Sequence, residues 1–359
     1  MGVSTPDPRL ADRQAIIELL STRAVASDDH DVERMVSCHT DDGTDDHGDG
    51  VSTARAFIEN VAASRYGDPD NGPQKHTLAN VLIDFRGDDS AFVETYHLAY
   101  HRLGMTGQQT DDLIGGRYLD ELVRVDGEWL LSKRTVIYDW GHGADARDPA
   151  VPHVDSRVRV RRAPRSTKET TMTEAVLQEL SDKQQITEVL YLRARAGDRR
   201  DHALALSCYH EGATETHEGF STTAEDFLLN KSLYAPDQDA PTDTMMHLIT
   251  NVLIDLHGDD AFVESYHLYL ATGPADTGRT DTGQTDTMVG GRYLDTFAQR
   301  DGRWAITHRE VIFDWSRTEP AARRFWDSNP NQATISFGRM GPDDPLYRYV
   351  ERGPEVRST

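Results

Sequence analysis

The chain has 359 residues, enough for about two domains that each bury a core of their own. Its formal net charge of −23 at pH 7 argues against an unaided nucleic-acid binder, because phosphate contacts need a basic face. Its N-terminus lacks the features of a signal peptide, and no later stretch has the uninterrupted apolar length of a membrane span. We therefore expect a soluble, cytoplasmic protein without nucleic-acid or membrane partners.

The N-terminal part of the chain has helical periodicity. Apolar residues at 16–20 are spaced like the buried side of one helix, and further helices are predicted over 32–38 and around 54–63. Four β-rich runs follow, and Gly-Asp or Asp-Gly pairs between them favour hairpins: TLANVLIDF, AFVETYHLAYH, RYLDELVRV and EWLLSKRTVIYDW. Helices first and an antiparallel sheet afterwards indicate an α+β domain.

The stretch HTDDGTDDHGDG at 39–50 lies between the second and third predicted helices. A calcium loop of the EF-hand type that starts at Asp45 would need a glutamate at its last position, where the chain has Ala56. In the second half of the chain the corresponding residues read TETHEGF, which lacks most of the aspartates but places His217 opposite His47. The histidine is therefore of greater functional interest than the acidic residues around it.

A tandem duplication organises the whole chain. The segment HTLANVLIDFRGDDSAFVETYHLAY returns as HLITNVLIDLHGDDAFVESYHLYL, and GGRYLDELVRVDGEWLLSKRTVIYDW returns as GGRYLDTFAQRDGRWAITHREVIFDW. We predict a first domain over 1–163, a linker over 164–173 and a second domain over 174–320. Aromatic residues in the tail at 321–359 suggest that it packs on these domains.

Several short motifs in each copy occur in an order that resembles the SnoaL-like branch of the nuclear transport factor 2-like superfamily. In the first copy they are Asp28 with Asp31, 45–48, His76 with Asn80, Arg117 with Tyr118, and 126–134. The resemblance implies an α+β cone, in which a curved antiparallel sheet wraps around helices and encloses a mostly apolar pocket. Single-copy relatives commonly dimerise through their sheets, so the resemblance also implies an intramolecular pseudo-dimer, with further homo-oligomers left open.

The resemblance implies a catalytic pair in each copy. Catalytic family members such as scytalone dehydratase and hexachlorocyclohexane dehydrochlorinase use a histidine base oriented by an aspartate. The matching positions are His76 with Asp28, and His247 with Asp198. A neutral imidazole can accept a proton near pH 7, and a buried carboxylate fixes its tautomer and stabilises the imidazolium that forms. The alternative is a histidine at the start of a strand that bonds a helix aspartate for structure alone.

Six further side chains are predicted to bind substrate. Histidines at the pocket mouth could donate hydrogen bonds, tyrosines could stabilise an oxyanion, and arginines could hold an anionic group. Capping, core packing and pairing with sheet carboxylates are the structural alternatives. The six residues are His47, His217, Tyr96, Tyr266, Arg117 and Arg292.

Neither a metal nor another cofactor is expected. His97 and His101 fall on one strand face, which would suit a metal site, but the second copy keeps only the first of them, as His267. No phosphate-binding glycine loop appears in either copy.

We predict a cofactor-independent lyase of dehydratase, dehydrohalogenase or retro-aldol type that acts on a small aromatic or alicyclic molecule. In this reaction a histidine removes a proton beside an activating group while a β-substituent departs. An isomerase or polyketide cyclase with the same base is the nearest alternative. Because the family fold also hosts binding modules, a non-catalytic ligand-binding or scaffold protein is a further alternative.

Overall fold

The computed structural model describes residues 9–48, 50–65, 74–105, 108–145, 174–217, 219–231, 244–274, 283–321 and 335–351. In the first copy, three helices and six strands follow one another: α1 (Leu10–Asp28), α2 (Val32–Val36), β1 (His39–Asp46), β2 (Ser52–Thr53), α3 (Ala54–Arg65), β3 (Gln74–Phe85), β4 (Ser90–Met105), β5 (Gln108–Val125) and β6 (Glu128–Asp145). The linker predicted at 164–173 lies outside the described residues.

The second copy repeats this order: α4 (Glu174–Asp198), α5 (His202–Ser207), β7 (Tyr209–His217), β8 (Phe220–Thr223), α6 (Ala224–Asp226), β9 (Thr244–His257), β10 (Asp260–Pro274), β11 (Gln284–Arg300) and β12 (Arg303–Pro320). A π-helical turn over Phe227–Lys231 continues α6. The duplication read from the sequence is thus a duplication of the fold, and the chain consists of two α+β units.

Each copy forms one six-stranded sheet, in the order β2-β1-β6-β5-β4-β3 and β8-β7-β12-β11-β10-β9. The long strands pair antiparallel, whereas β1 runs parallel to β6 and β7 runs parallel to β12. Register shifts between Gly115 and Gly116 and around Asn80 bend the first sheet. Asn80 has a φ of 47°, a left-handed conformation that asparagine tolerates better than most residues.

The inner face of each sheet packs on the helices that precede it. In the first copy, Ile16 and Leu20 of α1 are buried against Val93, Trp129 and Leu131 of the sheet. The helical periodicity of the sequence therefore identified the buried side of α1 correctly. The helix predicted around 54–63 is α3, and the four β-rich runs lie in β3 to β6.

The acidic stretch at 39–50 is not a solvated loop, because residues 39–46 form β1. Asp41 and Asp42 are exposed, whereas Asp45 is completely buried. Aspartate and glycine are rare in strands, so the composition concealed this one. The strand is stabilised by a tertiary contact, because Asp45 pairs with Arg134 in the parallel ladder between β1 and β6.

The two copies contact each other through the outer face of the first sheet. Ala79, Tyr96 and Trp140 of the first copy pack on Met246 and Leu248 of the second. The side-chain amide of Asn80 donates to the carbonyl of His247 at 2.8 Å and accepts from the backbone N–H of Ile249 at 2.7 Å.

This contact between the copies is asymmetric. Asn251, the counterpart of Asn80, is exposed, and so is Tyr266, the counterpart of the buried Tyr96. A symmetric pseudo-dimer would bury both members of each pair. The second copy therefore uses a shifted but overlapping part of the same face, since Leu98 and its counterpart Leu268 both lie in the contact.

The tail also packs on the first copy, over its described part. A 3₁₀ helix at Pro345–Arg348 places Leu346 against Phe92 and Ile137, and the ring of Tyr349 stacks on Phe92 at 5.0 Å. Asp344 accepts two hydrogen bonds from the guanidinium of Arg117, at 2.8 and 2.9 Å.

Candidate active site

His76 and Asp28 form a hydrogen-bonded pair in the first copy. Asp28 is the last residue of α1. Its carboxylate lies 2.7 Å from Nδ1 of His76 and accepts a hydrogen bond from the backbone N–H of His76 at 3.2 Å. Because an ionised carboxylate only accepts hydrogen bonds, the Nδ1 atom carries the proton and the Nε2 atom keeps a lone pair. Helix stability does not favour Asp28, since a negative charge opposes the dipole at a helix C-terminus.

A cavity of about 540 Å³ lies between the helices and the inner face of the first sheet, within the usual size range for small-molecule sites. His76 and His47 both line it. Its apolar wall includes Leu20, Met35, Phe57, Ile58, Ile114 and Val136. Its polar wall includes Arg23, Asn60, Ser64, Gln74, His97, His101 and Tyr138.

His101 is the nearest polar neighbour of His76 across the cavity wall. The two Nε2 atoms are 3.4 Å apart, and the rings meet edge to face at 5.2 Å. The tautomer of His101 that carries its hydrogen on Nε2 can donate to the lone pair on Nε2 of His76. The site thus holds a base and a donor of exchangeable hydrogen in direct contact.

His97 lies deeper in the same wall. Its ring stacks on Tyr118 at 4.2 Å and is 2% exposed. Burial, reinforced by the nearby His76 and Arg134, holds the pKa of His97 well below its usual range. This imidazole is therefore neutral at physiological pH. Arg134 makes two hydrogen bonds to Asp120, at 2.7 and 2.8 Å, so its charge is already matched.

A second buried cluster surrounds β1. Nε of Arg23 donates to His39 at 3.2 Å, and Nε2 of His47 lies 3.0 Å from Asp45 while its ring stacks on Phe57 at 4.0 Å. Burial alone would raise the pKa of Asp45, but His47, Arg23 and another nearby arginine lower it to about 2. Burial and the same arginines lower the pKa of His39 to about 3.

Two predicted substrate-binding residues of the first copy do not reach the cavity. Tyr96 and Arg117 are completely buried on the opposite face of the sheet. Arg117 donates to Asp139 at 2.8 and 3.0 Å and to Asp344, which belongs to the tail. Adjacent residues of a strand point to opposite faces, so Tyr96 must face away if His97 faces the cavity. The pairing of Arg117 with sheet carboxylates was the structural alternative.

The second copy keeps the dyad but changes its surroundings. Nδ1 of His247 lies 2.5 Å from Asp198, and the backbone N–H of His247 bonds the same carboxylate at 3.0 Å. Tyr269 stands at the position of Ala99, a cavity residue of the first copy, and its ring lies 4.8 Å from that of His247. The position of His101 is taken by Ala271. The second dyad therefore lies against an aromatic ring and lacks the neighbouring imidazole.

The β1 cluster also has a bulkier counterpart in the second copy. Tyr209 replaces His39 and Glu215 replaces Asp45, and both are buried. The hydroxyl of Tyr209 bonds Glu215 and accepts from Nε of Arg193 at 2.8 Å. His217 lies 2.8 Å from Glu215, which satisfies this side chain within the cluster.

Tyr266 and Arg292, the other two predicted substrate-binding residues, lie on the outer face of the second sheet. Arg292 bonds Asp314 at 3.1 Å and is partly exposed, and Tyr266 is 45% exposed. Side chains alternate between the two faces along a strand. This alternation directs Tyr96 away from the first cavity, and it likewise directs Tyr266 away from the interior of the second unit.

Sequence reasoning did not place His101 beside His76. It considered this residue only as a metal ligand and set it aside because the second copy has Ala271. A signal was nevertheless present, since 97, 99 and 101 alternate on the strand face opposite to Tyr96. The two copies differ at positions 99 and 101 of that face, and both positions line the cavity of the first copy.

Among the described residues, no group of three or more histidine, cysteine, aspartate or glutamate side chains is arranged to hold a metal ion. No helix in the described part of the chain is long and apolar enough to cross a membrane.

The sequence profile of the SnoaL-like domain matches the chain twice, over residues 8–135 and 178–310. Similar solved structures include hexachlorocyclohexane dehydrochlorinase LinA-type3 from Novosphingobium barchaimii LL02, with 23% identity, 40% of this chain and 94% of that chain covered, and a TM-score of 0.34.

ActVI-ORFA from Streptomyces coelicolor has 21% identity, with 36% and 98% of the two chains covered and a TM-score of 0.31. A cystatin-like protein of unknown function from Nostoc punctiforme has 19% identity, with 39% and 96% covered and a TM-score of 0.30. No curated protein matches the chain.

Proposed function

Since the chain belongs to the SnoaL-like domain family through both of its copies, we propose that its first copy is a cofactor-independent lyase with His76 as general base. The observation that carries this proposal is the contact of His76 with Asp28 on one side and His101 on the other, at the wall of a cavity. Asp28 is a positioning residue, because it fixes the tautomer and stabilises the imidazolium.

The elimination begins with the lone pair on Nε2 of His76. This atom removes a proton from a carbon next to an activating group, and the C–H electron pair forms the new double bond. The β-substituent departs with its bonding electrons. When that substituent is a hydroxyl, Nε2–H of His101 supplies the proton that converts it to water.

The two histidines can then restore their own starting state. After loss of a hydroxyl, His76 is an imidazolium and His101 an imidazolate; after loss of a halide only His76 has changed, and its proton leaves to solvent. Their Nε2 atoms are 3.4 Å apart, close enough for a direct transfer after a small approach. That transfer returns the proton to His101 and the lone pair to His76, so no external acid or base is consumed.

Activity is assigned to the first copy because of what surrounds each dyad. Ala99 leaves room beside His76, whereas Tyr269 places a ring beside His247. The second copy also lacks a counterpart of His101. The second copy serves as a packing partner that covers the outer face of the first sheet.

The cavity favours a small aromatic or alicyclic substrate. Its apolar wall can hold a ring, while the histidines and Asn60, Ser64 and Gln74 offer hydrogen bonds to oxygen substituents. An isomerase or cyclase would use the same base but release no group, and the identity of the products separates these reactions.

The proposal is tested with a panel of ring compounds that have an acidic C–H beside a carbonyl or aromatic ring and a β-hydroxyl or β-halide. Mass spectrometry and ion chromatography would follow the alkene and the released water or halide. One equivalent of leaving group per alkene is expected. Deuterium incorporation from D₂O without any leaving group would replace elimination by isomerisation, and binding without turnover across the panel would favour a binding module.

A further inference from the structure

The tail returns to the first copy at the edge of its cavity. Strand β6 pairs in parallel with β1 as far as Thr135, and residues 335–338 of the tail then pair with it at Tyr138. The backbone N–H of Tyr138 donates to the carbonyl of Ser336 at 2.9 Å, and that of Gly338 donates to the carbonyl of Tyr138 at 2.8 Å. We call residues 335–338 the tail segment. It continues the sheet of the first copy where β1 leaves it.

Ile335 of the tail segment packs on residues that line the first cavity. It is 6% exposed and forms one apolar cluster with Ala99 and Ile114. Tyr138 and Phe337 lie against the same cluster. Ala99, Ile114 and Tyr138 all belong to the cavity wall. A residue that follows the second copy in the chain therefore closes the cavity of the first copy on this side.

The turn after β1 leaves space for this contact. Gly48 directly follows His47, which lines the cavity, and has a φ of 95°. A Cβ atom at this position would lie 2.6 Å from Cα of Ile335, so any other residue would displace the tail segment. The second copy has Glu218 at the equivalent position. The glycine of the first copy thus matches the presence of the tail segment beside it.

Buried ion pairs hold the tail segment in this position. Gly338 lies against the carboxylate of Asp139, where a Cβ atom would have no room. Asp344, which is 2% exposed, bonds Arg117 at 2.8 Å and lies 3.3 Å from Nε of Arg199 in the second copy. Burial alone would raise the pKa of Asp344, but Arg117 and Arg199 hold it well below its usual range. Charges from both copies therefore fix the tail against the first cavity.

The second copy closes the equivalent opening in a different way. Among the described residues, nothing takes the place of the tail segment there, since the parallel pairing of β12 ends at Val311. Phe313, the counterpart of Tyr138, is 47% exposed. The ring of Tyr269 instead stands at the position of Ala99. The first copy has a small residue at this position and the tail segment behind it.

We propose that Ile335 determines the specificity of the first cavity, because it limits the size of the ligand that fits beside Ala99. The inference rests on the proposed function for the reaction that the cavity carries out, whereas the size limit applies to any ligand. Ile335 is not a catalytic residue, since Asp28 positions the base. Shortening the side chain of Ile335 extends the cavity towards the tail segment, so larger ring systems gain apolar contacts there.

Isothermal titration calorimetry of the full chain with unreactive aryl ketones measures this limit apart from turnover. Acetophenone has a single ring, tetralone has two fused rings, and alkylated tetralones are larger still. We expect Ile335→Ala to raise the affinity for the larger ketones relative to acetophenone by about fourfold for each methylene group that enters the vacated space. Ile335→Val removes one methyl group and should shift the same ratio by a smaller factor, so the test still decides if the alanine variant does not fold.

The matched control variant is Ile186→Ala. It makes the same truncation at a completely buried residue in the core of the second copy. It should lower the Tm and leave the affinity ratio of the wild type unchanged. Thermal melts of all variants beside the calorimetry therefore separate a general loss of packing from a change in the cavity.

Reactive ring compounds distinguish the size limit from the proposed function. If both hold, Ile335→Ala should change KM according to ligand size and leave kcat within about twofold of the wild type, since binding changes and the base does not. A shifted affinity ratio in a protein that eliminates no group would support the size limit and refute the proposed function. Normal elimination with an unchanged ratio in both Ile335 variants would overturn the size limit, and so would an equal loss of affinity for every ketone.

Discussion

Replacing the two dyad histidines one at a time separates catalysis from structure, because each copy is a control for the other. We expect His76→Ala to lower kcat by about 10²- to 10⁴-fold, the usual contribution of a general base. That loss corresponds to about 3–5.5 kcal/mol of transition-state stabilisation. We expect His247→Ala to leave kcat unchanged, because Tyr269 lies against that imidazole and no counterpart of His101 accompanies it.

The effects on stability should be similar in both variants. Each replacement removes the ring hydrogen bond to a buried aspartate and leaves the backbone hydrogen bond in place. A hydrogen bond to a charged group contributes about 1.5–3 kcal/mol, which would lower the Tm by roughly 3–12 °C for a domain of this size. Equal melting shifts with unequal kcat values are therefore the expected pattern.

Steady-state kinetics and thermal melts of both single variants and the double variant provide the measurement. A double variant that equals His76→Ala in kcat would agree with one active copy. Half the activity in each single variant would mean that both copies work independently. Undiminished turnover in the folded double variant would falsify base catalysis by either histidine.

Two further predictions concern the cavity, and a third concerns the buried cluster around β1. His101→Ala should lower kcat strongly for a hydroxyl leaving group and weakly for a halide, which needs no proton; equal losses on matched substrates would contradict a role as proton donor. Ala99→Tyr introduces beside His76 the ring that Tyr269 places beside the second dyad. It should abolish binding of the panel compounds in calorimetry and leave the far-UV circular dichroism spectrum native. An affinity equal to that of the wild type would show that residue 99 does not limit the cavity. His39, whose pKa is lowered to about 3, is neutral when folded and protonates near pH 6.5 when unfolded, so it should remove up to about 1.4 kcal/mol of stability per pH unit as the pH falls from 6.5 towards 3. Urea unfolding of His39→Asn across this range should show a shallower slope, and an unchanged slope would exclude this histidine as the source.

Much of the architecture could be predicted from the sequence, because the same helical and strand patterns occur in both copies. The repeat, the helical periodicity of α1 and the β-rich runs of β3 to β6 have direct counterparts in the structure. Strand β1 could not be found, because its aspartates oppose strand formation and its pairing with β2 and β6 stabilises it. The asymmetry of the contact between the copies was also missed, although the sequence has a signal for it: Met246 and Leu248, which pack on the first copy, stand where the first copy has Lys75 and Thr77.

The candidate site was predictable in its chemistry and less so in its geometry. The structure brings His76 and Asp28 together, as the resemblance implied, whereas Tyr96 and Arg117 lie on the other face of the sheet. Strand alternation would have separated His97 from Tyr96 at once. The contact of His101 with His76 depends on the pairing of β3 with β4, which a single sequence does not specify.

Retention of a histidine and an aspartate in both copies does not by itself argue for chemistry in both. Each aspartate bonds the ring and the backbone of its histidine, so the pair joins the end of a long helix to the start of a strand whether or not catalysis occurs. In the second copy that strand has a structural task, because the carbonyl of His247 accepts from Asn80 of the first copy. Structure alone can therefore preserve the second dyad. The positions that structure does not need to preserve are the informative ones, and at these the first copy has Ala99 and His101 where the second has Tyr269 and Ala271.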